Sequence, residues 1–464
     1  MRVHARALSV AVFVVAILVS VPFARGAVGV VGNCKAGLVK YGSIGAAITS
    51  LPAGSTLYVC PGAYAEQLVI TKKLTIVGVG GNGLTGASAA GANNPTIVAP
   101  SGGVAANATD LYAGYPPIAA QVLVSSPSNA TAPIVVNISN ITVDGTNNGI
   151  NGCSPNLVGI FYQNASGTVA QITTKFQYQG GNALNGCQSG LGIMAEENGD
   201  YGATTIKIEN SSVHDYNKNG ITVDGVNLSG TVNATVSGNY VVGVGATPLI
   251  AQNGIQISDG AVGKVTNNTV SGDVYINPSP CYADQQPYCY SASGILLYDS
   301  GGTSGAALVV QGNSVSNTQG AIVAYGDSAG NADFVSAISN KITTSPAAGI
   351  FNIDGIDLCS NNDTATSNIV YNSSGSGIHI DSSCTEEGGT SGNNASVTKN
   401  TVVEACAGVL TGTGGGNASS PNTTYDVRES VYAGDSCPTG SEAAGALERI
   451  GNVRTRPSAY AAGR

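Results

Sequence analysis

The sequence predicts an all-β fold, a parallel β-helix solenoid, and three observations carry that expectation. A two-residue signal recurs: Gly159-Ile160, Gly192-Ile193, Gly220-Ile221, Gly254-Ile255, Gly294-Ile295, Gly349-Ile350 and Gly377-Ile378, with weaker copies at Ala321-Ile322 and Gly408-Val409. An Asn-x-Val/Ile signal falls between the copies, at Asn239, Asn268, Asn313, Asn340, Asn368 and Asn400. Together they set a period of about 28 residues, the mark of a repeat architecture. Short segments such as Ile221-Thr222-Val223 alternate apolar and polar residues, so each reads as a strand with one buried face. The composition agrees. The 464 residues include 64 glycines, no tryptophan and only 10% charged residues, which excludes a coiled coil or helical bundle. An apolar share of 42% excludes a highly charged disordered chain.

Residues 1–26 read as a secretory signal. Arg2, His4 and Arg6 form a basic head, residues 7–21 an apolar run, and Ala24, Gly26 and Ala27 a small-residue cleavage site. The run is short for a full span, so no membrane insertion is expected once it is removed. The expected location is secreted, periplasmic or cell-surface, and the ten cysteines suit an oxidising compartment. Removing Arg2, Arg6 and Arg25 leaves 15 bases against 27 acids, a net charge of −12. Such a chain lacks the basic footprint of a nucleic-acid binder.

Residues 27–424 hold the repeat. On a solenoid, residues one period apart are about one strand spacing apart, within disulfide reach. The spacing therefore predicts Cys34–Cys60, Cys153–Cys187, Cys359–Cys384 and Cys406–Cys437 as clamps between neighbouring coils, with Cys281 and Cys289 as a local pair. The asparagines are expected at turns needing positive φ, with their amides bonded along the stack. Residues 425–464 lack the repeat and are expected to form a cap around Cys437 and a loose tail.

The first coils carry a family likeness. Ser43-Ile44, Ala47-Ile48, Gly62-Ala63-Tyr64-Ala65-Glu66 and Ile70-Thr71-Lys72-Lys73-Leu74-Thr75-Ile76-Val77-Gly78 resemble the start of the pectate-lyase-like superfamily of right-handed β-helices. The resemblance spans roughly residues 38–415. It implies one right-handed domain of about a dozen coils, closed at the N-terminal end by a short helix over residues 43–50. It implies no single activity, because the superfamily holds lyases, hydrolases, esterases and non-enzymes. Its best-known enzymes are disfavoured. No arginine stands between Arg25 and Arg428, where pectate lyases use an arginine base and polygalacturonases and pectin methylesterases an active-site arginine. Gly62 to Glu66 matches the first esterase motif, G-x-Y-x-E, yet the later L-G-R-P-W motif is impossible without tryptophan.

The candidate chemistry lies in a column of acids. Glu196, Glu197, Asp224, Asp259, Asp299, Asp327, Asp354 and Asp381 follow the Gly-Ile copies and are expected to line up. Adjacent acids about 5 Å apart and alternate ones about 10 Å apart bracket glycosidase spacings, and their crowding would suit Ca²⁺ as a cofactor. Asp224, Asp259 and Asp299 are the candidate catalytic residues, although Asp224-Gly225, Asp259-Gly260 and Asp354-Gly355 are also ordinary turn dipeptides. An insertion between Val270 and Ile295 holds Tyr275, Tyr282, Tyr288 and Tyr290, which with Tyr298 form a candidate sugar-stacking surface. His214 and His379 read as surface or turn histidines, and alternation points His379 out of the coil. The leading expectation is a monomeric binder of extracellular polysaccharide, neutral or Ca²⁺-bridged. A polysaccharide hydrolase or lyase of unfamiliar type and a non-catalytic adhesive solenoid are the alternatives.

Overall fold

The computed structural model describes residues 26–80, 94–226, 232–276, 291–326, 333–344, 354–382, 392–435 and 437. They wind as a parallel β-helix. Each strand pairs in parallel with its counterpart one winding later, as Asn219–Asp224 does with Asn253–Ser258. Among the described residues one face is a 13-stranded sheet, and the other two faces join as a 21-stranded sheet.

The Gly-Ile signal builds one face. Ile160, Ile193, Ile221, Ile255, Ile295 and Ile322 are in direct register, each paired with the next. All point inward and are fully buried. The preceding glycine is required by space. A Cβ on Gly254 would lie 2.4 Å from Val270 Cγ1, 2.7 Å from the Gly294 carbonyl oxygen and 2.9 Å from Asp273 Oδ2. The corner before the isoleucine is thus filled by the next coil. Gly254→Ala is expected to cost about 3 kcal/mol, since overpacking forces backbone shifts. Gly152→Ala, at a site with nothing within 4 Å of the new Cβ, is expected to stay within about 0.5 kcal/mol. Urea denaturation of the two variants distinguishes them.

The asparagine signal builds the corner between two faces. Asn239, Asn268, Asn313, Asn340, Asn368, Asn400 and Asn422 form a ladder in which each Nδ2 donates to the next Oδ1 at 2.9–3.0 Å. Each of these Oδ1 atoms also accepts the backbone N–H of the preceding rung. The expected stacking is therefore present, but the expected positive φ belongs to the residue before each of the first six rungs. Gly238, Asn267, Gly312, Ser339, Ser367 and Lys399 take φ of 65, 55, 66, 52, 59 and 60°. The turn is made one residue earlier, which leaves the rung free to aim its amide along the stack.

The helix Ile44–Ser50 closes the N-terminal end where expected, with Ser43 Oγ accepting the Ala46 N–H. Glu66 accepts the Ile44 and Gly45 N–H groups at 2.8 and 2.7 Å, so the acid of the G-x-Y-x-E segment caps this helix. Tyr64 Oη donates to the Cys60 carbonyl. That segment is accounted for by these structural contacts.

Three expected clamps are present. Cys34–Cys60, Cys153–Cys187 and Cys406–Cys437 are bonded with Cα separations of 5.5, 5.1 and 5.7 Å. Cys359 is also disulfide-bonded; its expected partner Cys384, and the pair Cys281 and Cys289, lie outside the described residues. Two expectations need correction. The strand that follows Ile322 in register is Ile356–Cys359, so the stacked copy is Gly355-Ile356 and not Gly349-Ile350. The winding also passes residue 424: Thr423–Tyr432 pairs along its length with Thr401–Leu410. The first strand of this tail carries no Gly-Ile pair, which is why the repeat signal missed it. Among the described residues no helix is long and apolar enough to cross a membrane.

Candidate functional site

A cleft lies on the outer side of the Gly-Ile face. Its floor comes from the strands Asn156–Gln163, Leu191–Glu196, Asn219–Asp224 and Asn253–Ser258. Its wall is the long connection between the strands Thr96–Val98 and Ile118–Ser125, which brings in Asp110, Tyr112 and Tyr115. That wall is anchored. The Asn107 side chain bonds both ways with Ala120 at 2.9 Å, and Gln67 Nε2 donates to the Ala105 and Ala120 carbonyls.

Alternation dictates the floor. Ile221 and Val223 point inward, so Thr222 and Asp224 point out, and the same holds in the neighbouring coils for Met194, Glu196 and Gln256. Glu196, Asp224 and Ser258 share one register position. Adjacent strands are about 4.8 Å apart, which fixes the spacing of the two acids at their backbones.

The two acids differ in surroundings. Asp224 Oδ1 accepts Tyr112 Oη at 2.5 Å and Val226 N–H at 2.9 Å, while Oδ2 accepts Ser258 Oγ at 3.0 Å. Glu196 is buried beside the carboxylates of Asp110 and Asp224. Burial first, and those two charges next, hold its carboxyl well above the usual carboxylate range. Glu196 is thus favoured toward its protonated form beside Asp224, whose oxygens accept three hydrogen bonds, a contrast of the kind that divides acid from base roles. Lys218 also faces the cleft. Burial pulls its amine down to about 8, and its Nζ donates to the Ala251 carbonyl at 2.6 Å. Tyr115 is exposed at the mouth, tilted against Tyr112 with ring centroids 5.7 Å apart.

Of the candidate catalytic residues, the cleft brings in Asp224 and not Asp259 or Asp299. Those two are buried at the strand exits with φ of 53 and 48°, one register position beyond Asp224. The expected single column is thus split. Glu196 and Asp224 share one position; Glu197, Asp259 and Asp299 share the next, where the chain turns. Asp354 stands before its strand instead of after it, and Asp327 lies outside the described residues. Tyr275 is buried against Ala251 and Ala292, and Tyr298 stacks on Tyr325 at 5.8 Å. Tyr282, Tyr288 and Tyr290 lie outside the described residues.

Sequence reasoning missed Asp110, Tyr112, Tyr115 and Lys218. The available signal was the gap between Val98 and Ile118, long for one turn and carrying an acid and two tyrosines. It also placed His379 at the surface, whereas the ring is fully buried among Asp354, Asp357, Asp381 and Asp435. Alternation did point it out of the coil; the C-terminal residues that cover it were not foreseen. His214 remains a local pair with Asp215, 2.6 Å away.

No protein-family model and no curated protein sequence matches this chain. Solved structures similar to it include the family 28 exopolygalacturonase of Yersinia enterocolitica, with a TM-score of 0.47 and 13% identity over 85% of this chain and 76% of that one. A mannuronan C-5 epimerase A-module from Azotobacter vinelandii gives 0.42 and 14% over 82% of this chain and 87% of that one. A DFA-IIIase from Arthrobacter chlorophenolicus gives 0.35 and 14% over 80% and 77%.

Proposed function

We propose that this chain is a secreted carbohydrate-active protein that binds a neutral glycan in the cleft and hydrolyses a glycosidic bond there. The observation that carries the reading is the register pair Glu196 and Asp224, one protonated by its surroundings and one held as an acceptor. Glu196 gives its proton to the leaving glycosidic oxygen while an Asp224 oxygen attacks the anomeric carbon. Water then attacks the glycosyl ester and returns a proton to Glu196. Backbones one strand spacing apart, about 4.8 Å, suit the retaining geometry, in which the released sugar keeps its anomeric configuration. Besides the protonated Glu196, Asp110 and Asp224 line the cleft against Lys218 and disfavour uronates, so an uncharged chain is selected. Tyr115 offers a ring face to a sugar at the mouth.

The test is a panel of neutral and acidic polysaccharides. The expected result is release of oligosaccharides from a neutral polymer, lowered at least about 1,000-fold in Glu196→Gln and Asp224→Asn with binding kept. Activity should fall on the alkaline side as Glu196 loses its proton. A protein that retains glycan without cleaving it would reduce the function to binding, which the Tyr112–Asp224 bond favours as a second reading because it occupies the would-be nucleophile. Retention of no glycan would overturn both.

A further inference from the structure

A short strand precedes each Gly-Ile strand, and several coils leave it through a left-handed turn. In register, the turn residue is Asp215, Gly272, Asn317, Asn372, Glu404 or Asp426, with φ of 53, 86, 49, 59, 58 and 51°. Each is glycine or polar. In the coil before Asp215 the same position holds Phe176, at φ 57°. A bulky aromatic is an outlier in this region. Its ring is only half-buried, so no core packing compensates the strained backbone. A local rule broken without a packing gain points to a functional position.

The ring sits in a polar setting. Lys175 Nζ lies 5.4 Å from its centre and 3.2 Å from Asp144 Oδ2. Tyr178 meets it edge-on, with centroids 6.3 Å apart, and donates from Oη to Asp215 Oδ1 at 3.3 Å. Asp215 Oδ2 is 2.6 Å from His214 Nδ1, and the Lys175 charge also acts on Asp215, so the two pairs form one cluster. Val143, Thr174 and Val213 are buried, so Asp144, Lys175 and His214 point outward from three successive coils, spanning about 10 Å. The Lys175 and His214 side chains are 30% and 26% exposed, enough to meet a ligand. Each basic group is matched by a carboxylate, which leaves no excess cation to select an anion.

We propose that Phe176, Tyr178 and the pairs Lys175–Asp144 and His214–Asp215 form a second carbohydrate site, a platform that holds a neutral glycan outside the cleft. An aromatic ring takes the apolar face of a sugar, and balanced polar groups around it bond the hydroxyls. The platform uses no residue of the cleft and shares with the reading above only the class of ligand. The test is isothermal titration of the Glu196→Gln protein, in which hydrolysis is blocked, with cellohexaose, mannohexaose and xylohexaose. Two sites are expected for one of these probes. Adding Phe176→Asn should weaken one site by about 10-fold or more and leave the other unchanged, whereas Phe176→Tyr should keep both. Thermal unfolding separates ligand from packing: Phe176→Asn brings in a residue that other coils use here, so its Tm should equal or exceed that of its parent. If the cleft alone fails to bind, one site is seen and Phe176→Asn abolishes it. If the platform fails, one site is seen and Phe176→Asn leaves it intact. That result, binding of none of the three probes, or a lower Tm in Phe176→Asn would make the ring a structural part of the turn and overturn the proposal.

Discussion

Asn313→Ala is expected to lower the unfolding free energy by about 3–5 kcal/mol, because it removes a middle rung of the asparagine ladder. The side chain sits in the buried interior of the helix wall. Its Oδ1 accepts both Asn268 N and Asn268 Nδ2, at 2.9 and 3.0 Å. Its Nδ2 donates to the Val265 carbonyl and to Asn340 Oδ1, at 2.9 and 3.0 Å. Alanine takes away all four bonds and offers no water in return. The backbone N–H of Asn268 suffers most, since a buried amide without an acceptor costs about 1–3 kcal/mol by itself. Asn422→Ala is the comparison. That rung makes the same kind of bonds but is half-buried at the C-terminal end, where water replaces the lost groups, so about 1 kcal/mol is expected. Asn313→Asp sharpens the test: it keeps both acceptor bonds but places carboxylate oxygen against the Val265 and Asn340 oxygens, and should cost at least as much as alanine. Equal, small losses in all three variants by urea denaturation would mean that the aliphatic stack alone holds the coils together.

The repeat was legible because a solenoid converts spacing into contact. Gly254 and Ile255, Asn313 and Val315, and Cys34 and Cys60 each reported a local steric or bonding need that recurs every winding. The same logic misled for the acids. Asp224 and Asp259 follow their isoleucines by three and four residues, and that single residue decides between the outer face of a strand and a left-handed turn. An alternation of period two flips with a one-residue slip. The cleft wall was illegible for a different reason. Asp110 and Tyr112 meet Asp224 across more than a hundred residues, through an insertion that follows no period. His379 was seen to point outward; that Asp435 from the last winding covers it could not be read from a tail without the repeat signal.

Asp363→Asn is expected to stabilise the protein above pH 8 and to leave it unchanged near pH 4. Asp363 is fully buried, and burial pushes its carboxyl up to about 8 against the ordinary 3.8. The neighbouring Asp333 adds to the rise, while the bonds from Ser360 Oγ and from Val335 N–H, at 2.5 and 2.8 Å, oppose it. Between those two pH values the folded chain keeps a proton that the unfolded chain has released. The unfolded state then binds fewer protons, so stability falls as pH rises through this window. Four pH units set an upper bound of roughly 5 kcal/mol on the loss. Asparagine keeps the oxygen that accepts Val335 N–H and places its amide against the Ser360 hydroxyl, which can turn to accept. Its neutral head has no charge to desolvate at any pH. Plotted against pH, the wild-type urea midpoint should decline from pH 5 to pH 8.5 more steeply than that of the variant. An exposed control, Asp200→Asn, should follow the wild type. Parallel curves for wild type and Asp363→Asn would mean that the two donors hold an ionised carboxylate, and that burial at this corner of the coil is not what sets the alkaline limit of the fold.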